Sequence, residues 1–283
     1  MRERIEMAML EEKFARLSEI LRECGSVCIG YSGGVDSVFL AKAALDVLGP
    51  ENVLAVTGRS ASYPEVQREM ALDCVRRFGI PHLEIETDEL ADPNYAANPS
   101  NRCYFCKTEL WSKLTAVAEQ RGYAVVLDGS NADDVGDHRP GMRAAAEKRV
   151  RSPLLEAGLT KAEIRELSRR MGLPTWDRPA APCLSSRLPY GLAVTPERLR
   201  QVEAAEEAMR GRGFREFRVR HHGDAARLEV APVEMPRALE LASDLVRELT
   251  ALGFERVLLD VEGYRRGALN EAPPLVRLRA AAR

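Results

Sequence analysis

The sequence predicts an α/β protein in which a doubly wound parallel sheet is followed by a smaller α+β domain. Short apolar runs alternate with segments of helical periodicity between residues 27 and 171, and this alternation is typical of a parallel sheet with helices on both faces. A glycine-rich turn joins the first apolar run to a helix. Beyond residue 195 the order changes to helix, two strands, helix and strand, which indicates the second domain.

The first part of the chain divides into alternating helices and strands. Residues 1–24 carry apolar side chains at helical spacing and predict an amphipathic helix. The buried strands are predicted from short apolar runs, and glycine and proline mark the ends of the helices between them. The predicted strands are at 27–31, 52–57 and 83–86, and the helices between them are at 36–48 and 64–78.

The pattern resumes after residues 88–101, whose Asp, Asn and Pro content predicts a loop. Thr160 is expected to cap a helix that runs to Met171, because Glu163 stands at the spacing of a capping box. The remaining elements predicted here are helices at 104–120 and 141–149, a strand at 125–127 and a last strand at 150–154.

Residues 173–191 contain repeated prolines and are predicted to be irregular. A long irregular segment inside a compact protein is usually functional, and this one also marks a domain boundary. We therefore expect a first domain at 1–185, a second at 186–264 and a loosely ordered basic tail at 265–283. The second domain is expected to have helices at 195–210 and 236–252 and a mostly antiparallel sheet with strands at 214–220, 227–230 and 257–261.

The glycine-rich turn has the features of an anion site. A strand ends there, the glycines let the backbone approach a ligand closely, and the first helical turn presents free N–H groups. The serine hydroxyls at the two ends of the turn add donors, so phosphate is the expected guest. The turn reads Ser32-Gly33-Gly34-Val35-Asp36-Ser37 and matches neither the G-x-x-x-x-G-K-[ST] nor the G-x-G-x-x-G pattern.

Two other loops follow predicted strands and are expected at the same edge of the sheet, where ligands of doubly wound folds bind. The first is 58–62, in which Arg59 and Ser60 are candidate ATP contacts. The second is 128–134, whose acidic residues, Asp133 among them, are candidates to hold Mg²⁺ or orient ATP.

The six cysteines fall into two groups. Cys103 and Cys106 form a C-x-x-C pair at the start of a predicted helix, and Cys183 lies in the proline-rich segment. Spacing alone leaves four interpretations open for these three thiols: a [4Fe–4S] cluster with one open iron, a dithiol redox pair, a zinc site, or unrelated thiols. The other three cysteines lie on apolar faces and are expected to be small buried hydrophobes.

Composition sets the broad class of protein. The 283 residues are 45% hydrophobic and 30% charged, with a net charge of −2, which is ordinary for a soluble globular protein and argues against a nucleic-acid partner. No apolar run is long enough to cross a bilayer. Cysteines without a secretory signal favour a reducing, cytoplasmic location.

The six residues from Ser32 to Ser37 resemble the signature of the PP-loop ATP pyrophosphatases, whose domain has the adenine nucleotide alpha-hydrolase-like fold. With three further runs the resemblance narrows to the LarE family and covers the chain up to about residue 264. The runs are Asn101-Arg102-Cys103-Tyr104-Phe105-Cys106-Lys107, Asp128-Gly129-Ser130-Asn131-Ala132-Asp133-Asp134 and Pro182-Cys183-Leu184-Ser185-Ser186-Arg187.

This resemblance implies ATP-dependent sulfur insertion into pyridinium-3,5-biscarboxylic acid mononucleotide for the nickel-pincer nucleotide cofactor. The enzyme would adenylate a carboxylate with ATP and Mg²⁺ and release pyrophosphate, with Asp36 and Cys183 as catalytic residues. Because all three cysteines are present, the resemblance implies the branch in which Cys103, Cys106 and Cys183 hold a [4Fe–4S] cluster. In the alternative branch, Cys183 itself is the sacrificial sulfur donor.

The second domain is expected to bind the phosphate of the nucleotide substrate. Arg218 and Arg220 alternate on a predicted strand and share one face, which suits bidentate phosphate binding. Arg187 and Glu229 complete the candidate phosphate site. The resemblance also implies a homo-oligomer, a hexamer by the habit of the family.

Three rival functions are weighed. A tRNA thiolase of the same superfamily should show a basic face, which the charge balance argues against. An ammonia-using amide synthetase has no need of three cysteines beside ATP. A nucleotide-sensing module without catalysis would not need a reactive cysteine segment.

Overall fold

A computed structural model describes residues 2–135, 140–179 and 181–265. Its first feature is a four-stranded parallel sheet in the order β3-β2-β1-β4, with Val27 of β1 level with Val53 of β2 and Val125 of β4. The fold class predicted from the sequence is confirmed. The strands are β1 (Val27–Gly30), β2 (Val53–Arg59), β3 (His82–Glu86) and β4 (Val125–Leu127).

Helices cover both faces of this sheet, because successive strand residues point to opposite sides. Val27 and Ile29 face one core with Phe39 of α2, whereas Cys28 faces a second core with Trp111 of α5. The helices are α1 (Arg2–Cys24), α2 (Val35–Leu48), α3 (Glu65–Phe78), α4 (Pro93–Ala96), α5 (Arg102–Arg121), α6 (Pro140–Glu147), α7 (Pro153–Glu156) and α8 (Lys161–Arg170).

Two local predictions for this region are wrong. Residues 150–154 do not form a strand: Arg151 makes one isolated parallel bridge to Leu127, and Pro153 opens α7. Proline has no N–H for a ladder but suits the first turn of a helix, so it ends pairing and starts helix here. The loop at 88–101 contains a short 3₁₀ turn, Glu89–Ala91, and the four-residue helix α4.

The remaining elements form a three-stranded sheet with helices. Strand β6 pairs antiparallel with β5 and parallel with β7, so the sheet is mixed rather than mostly antiparallel. The helix predicted at 236–252 is two helices that meet at Leu241. The elements are α9 (Pro196–Gly211), β5 (Phe217–His222), β6 (Ala225–Val230), α10 (Met235–Glu240), α11 (Ala242–Ala251) and β7 (Arg256–Leu259).

Contacts divide the chain into two compact units. The first comprises Met1–Leu184 and Ala193–Pro196, and the second comprises Ser185–Leu192 and the chain from Glu197 onward. Residues 266–283, most of the predicted tail, lie outside the described residues. Among the described helices, none combines the length and the apolar character that crossing a bilayer would need.

Candidate active site

The glycine-rich turn lies between β1 and α2 and is closed by its two serines. The Ser37 hydroxyl donates to the Gly34 carbonyl (3.1 Å), accepts the Ser32 N–H (3.2 Å) and lies 3.2 Å from the Ser32 hydroxyl. Helix α2 begins without a side-chain cap, so its first N–H groups are left for a ligand. An uncapped helix N-terminus behind a glycine turn favours a phosphate.

Gly33 is required by both conformation and space. Its φ is +71°, and a Cβ built on it would lie 2.6 Å from the Cβ of Ala71 on α3. The same helix and the loop before it also hold the turn, since Gln67 of α3 and Tyr63, just before α3, donate to the Ser32 carbonyl at 2.8 and 3.0 Å. The turn is therefore held in its shape before any ligand binds.

Asp36 is held by residues that are distant in sequence. The ammonium of Lys161, the first residue of α8, forms an ion pair with its carboxylate. Asn131 donates to the same carboxylate at 3.4 Å, and the Lys161 N–H donates to Asp133 at 2.8 Å. This arrangement places an ion pair at the start of α2, beside the turn expected to bind phosphate.

The loop at 128–134 lies against the same helix start. A Cβ on Gly129 would come within 3.3 Å of Asp36. Asp128 accepts hydrogen bonds from Ser130, and Asp134 accepts the Asn131 N–H, so these two carboxylates shape the loop. Asp36 and Asp133, which both contact Lys161, remain the candidate carboxylates for Mg²⁺, an ion that takes one or two carboxylates with the substrate phosphates.

The two candidate ATP contacts lie where β2 ends, with Arg59 as the last residue of the strand and Ser60 in the loop that follows. Arg59 is exposed at the end of β2, and its carbonyl accepts the Thr87 N–H. The Ser60 hydroxyl donates to the buried carboxylate of Glu89 at 2.6 Å, so in this structure it binds another side chain of the protein. Two neighbours in this loop reach further: Ser62 accepts the Leu184 N–H at 2.8 Å, and Tyr63 bonds Ser32.

The three candidate ligand cysteines lie near one another in the first unit. Cys103 and Cys106 lie in the first turns of α5, three residues apart, and share one face of the helix. Burial raises the pKa of the Cys106 thiol, the Lys107 ammonium lowers it, and the nearby thiols of Cys183 and Cys103 raise it further. For Cys103 the same two influences, burial first and then Cys183, raise the pKa.

The three thiols have the donor chemistry of an iron–sulfur cluster. In residues 2–135, 140–179 and 181–265, no three His, Cys, Asp or Glu side chains are grouped to hold one metal ion. A [4Fe–4S] cluster spreads its cysteines over separate irons, so its ligands stand further apart than those of zinc. The charge of Cys183 raises the pKa of both helix cysteines, so the three thiols lie in one neighbourhood.

In the second unit, the predicted phosphate ligands lie in a partly neutralised basic cluster. Arg187 makes a buried bidentate pair with Glu206, with both N···O distances 2.9 Å. Arg220 pairs with Glu229 and also donates to the Ser186 carbonyl. Burial, together with the positive charges of Arg187 and Arg220, lowers the pKa of Arg218. A bound anion would relieve that repulsion.

The sequence is similar to those of known proteins along most of its length. The sequence profile of the NAD synthase family matches residues 9–105. An uncharacterized protein of Synechocystis is 46% identical over 264 residues, 93% of this chain and 98% of that protein. The pyridinium-3,5-bisthiocarboxylic acid mononucleotide synthase of Lactiplantibacillus plantarum is 37% identical over 265 residues, 94% of this chain and 96% of that protein.

The chain belongs to the LarE family. It is therefore an enzyme of the ATP-dependent sulfurtransferase class, and the PP-loop fold of the family implies ATP and Mg²⁺. A tRNA-specific 2-thiouridylase of Azorhizobium caulinodans is 31% identical in an alignment of 189 positions, which covers 54% of this chain and 48% of that protein. The similarity to the tRNA enzyme thus extends over only a part of this chain.

The structure shows further residues at the candidate site that were not predicted from the sequence. Four residues contact the predicted site residues or their loops: Lys161, Tyr63, Gln67 and Glu89. Only Lys161 left a signal in the sequence: a lysine in the first turn of a helix opposes the helix dipole. Such a charge calls for a nearby anion.

Proposed function

We propose that this LarE protein inserts sulfur into pyridinium-3,5-biscarboxylic acid mononucleotide in an ATP-dependent reaction. One observation carries the proposal: the loop after β2 bonds both the phosphate-binding turn and the cysteine segment. Tyr63 donates to Ser32, while its neighbour Ser62 accepts the N–H of Leu184, which follows Cys183. A site for ATP activation and a sulfur-bearing residue are thereby tied to one short peptide.

The first step in the proposal is adenylation. A substrate carboxylate oxygen attacks the α-phosphorus of ATP, the α–β phosphoanhydride bond breaks, and pyrophosphate leaves. The N–H groups at the start of α2 and the hydroxyls of Ser32 and Ser37 hold the departing phosphates. Lys161 offsets negative charge beside them, and Asp36 and Asp133 would hold Mg²⁺, which would neutralise phosphate charge.

The second step replaces AMP with sulfur. A sulfur nucleophile attacks the carbonyl carbon of the acyl adenylate, the bond to the AMP oxygen breaks, and a thiocarboxylate remains. Cys103, Cys106 and Cys183 would hold a [4Fe–4S] cluster, which when bound supplies an open iron to carry the sulfur. If Cys183 is instead the donor, its Cβ–Sγ bond breaks with loss of the α-proton, and dehydroalanine remains.

The nucleotide phosphate is assigned to the second unit. Arg218, with Arg187 and Arg220 nearby, supplies a positive potential there, and the guanidinium fork suits a phosphate. Glu229 orients Arg220 in this proposal. The homo-oligomer and the cytoplasmic location remain predictions.

The test is a pyrophosphate-release assay followed by intact-mass measurement. Anaerobically reconstituted protein should release pyrophosphate with the pyridinium nucleotide and not with bulk tRNA; release with tRNA alone would replace this function by tRNA thiolation. An unchanged protein mass after turnover supports sulfur borne by the cluster. Loss of the mass of H₂S from the peptide containing Cys183 would show sacrifice of that residue.

A further inference from the structure

Glu89 is a buried carboxylate that the proposed chemistry does not use. It lies in the 3₁₀ turn after β3 and is only 6% exposed. One of its oxygens accepts hydrogen bonds from two hydroxyls, those of Ser60 and Ser62, each at 2.6 Å. Burying a carboxylate is costly, so a group kept at this place has a structural or functional task.

The two serines carry the influence of Glu89 to the cysteine segment. Their hydroxyls lie 3.0 Å apart, and the Ser62 N–H donates to the Ser60 hydroxyl at 3.2 Å, which closes a compact turn around the carboxylate. Ser62, itself 6% exposed, then accepts the Leu184 N–H through its carbonyl at 2.8 Å. Glu89 therefore fixes the peptide to which Cys183 is attached.

The turn that carries Glu89 also lies against the helix that carries the other two thiols. The Asp88 N–H donates to Glu109 of α5 at 2.7 Å. Glu89 lines a shallow cleft together with Phe105 and Thr108, the residues on either side of Cys106 and Lys107. One carboxylate thus lies between α5 and the loop that holds Cys183.

We propose that Glu89 is a positioning residue that sets the separation between Cys183 and Cys106 through the Ser60–Ser62 turn. Its contribution to catalysis rests on the proposed function, because only sulfur transfer requires the two thiols to be held at a set separation. The positioning itself is a property of the protein without ligands. It can be measured without substrate, ATP or cluster.

The experiment measures how readily the two thiols are bridged by dibromobimane, a short bifunctional thiol reagent. Apo protein with Cys103→Ser leaves Cys106 and Cys183 as the solvent-accessible pair, since the other three cysteines are buried. In this background, Glu89→Ala should slow the bridging of Cys106 to Cys183, identified by peptide mass, about tenfold. A tenfold change in rate is the size expected when hydrogen bonds to a charged group are lost. Glu89→Gln should restore the rate to within about twofold, since its amide oxygen can accept both hydroxyls.

The controls separate positioning from general damage. Glu119→Ala removes an exposed carboxylate at the far end of α5 and should leave the bridging rate unchanged. If Glu89→Ala does not fold, Ser62→Ala takes its place and should slow bridging while Ser60 still bonds Glu89. Bridging at the parent rate in the folded Ala variants, or no rescue by Glu89→Gln, overturns the inference. Failure of the sulfur-transfer assay with the cross-linking result intact would overturn only the proposed function.

Discussion

The ammonium group of Lys161 pairs with the carboxylate of Asp36, although 125 positions separate the two residues in sequence. Lys161 opens α8 and Asp36 lies in the first turn of α2, beside the glycine-rich turn. The pair gives the site one group that suits Mg²⁺ and one that suits phosphate. A substrate complex of ATP and Mg²⁺ can engage both partners at once.

We expect Lys161→Ala to lower kcat/KM for pyrophosphate release by about 100-fold, because a preorganised charge beside the leaving group is lost. Asp36→Ala should abolish pyrophosphate release while the protein still takes up its cluster. Lys148→Ala, which removes an exposed lysine outside the site, is the matched control. A Lys161→Ala enzyme with the parent rate would remove this residue from adenylation.

The cysteine ligand set predicts which variants lose colour after anaerobic reconstitution. Cys103→Ala, Cys106→Ala and Cys183→Ala should each lose the broad visible absorption of a [4Fe–4S] cluster, because each removes one of three protein ligands. Cys74→Ala should keep the colour, since Cys74 is buried between α3 and the sheet. Full iron and sulfide content in any of the three ligand variants would contradict the assignment.

Gly33→Ala tests whether the turn needs close packing as well as left-handed backbone. Gly25 and Gly33 share a φ of +71°, but a Cβ on Gly25 meets no atom within 4 Å, whereas one on Gly33 meets Ala71 at 2.6 Å. Denaturant unfolding should therefore show a cost of about 1 kcal/mol for Gly25→Ala and a clearly larger one, about 2–4 kcal/mol, for Gly33→Ala. Equal costs would mean that only backbone strain matters.

Arg218→Ala tests the substrate phosphate site. Loss of a charged hydrogen bond should raise KM for the pyridinium nucleotide by about 10- to 100-fold, with KM for ATP unchanged. Arg200→Ala, which removes an exposed arginine paired with Glu197, should alter neither value. An equal rise in both KM values after Arg218→Ala would point to general damage instead of phosphate binding.

The burial of His221 leads us to expect that the second unit loses folding stability in acid. Its ring is buried, donates a hydrogen bond from Nε2 to the Gln201 amide oxygen at 2.8 Å and packs on Phe254. Burial, with the charge of Arg198, lowers the pKa of His221 in the folded protein. The unfolded chain then binds this proton first, so stability is full above about pH 6.5 and falls as the pH drops below that value.

The measurement is the free energy of unfolding between pH 5 and 8 for the parent and for His221→Leu. The parent should lose stability as pH falls through this window, and the variant should show a smaller slope, because its buried side chain has no proton to gain. Equal slopes in the two proteins would mean that other groups govern the acid response.

Local patterns predicted much of the fold. The run from Val27 to Ser37 predicted its strand, turn and helix correctly, because apolar spacing and glycine conformation determine structure over a few residues. Thr160 and Glu163 form the expected capping box. Predictions failed where a tertiary partner was needed: residues 150–154 resembled a strand but have only one bridge to Leu127, and the helix at 236–252 is broken at Leu241.

The sequence by itself determined the strands of the sheet, the glycine-rich turn and the helix after it, because these depend on residue type and on neighbours a few positions away. The tertiary structure alone decided that Lys161 would meet Asp36, that Ser62 would hold the segment after Cys183, and that Glu89 would support Ser62. Such contacts join residues dozens to more than a hundred positions apart. Their stability comes from burial and hydrogen bonds that exist only once the chain has folded, so no local spacing announces them.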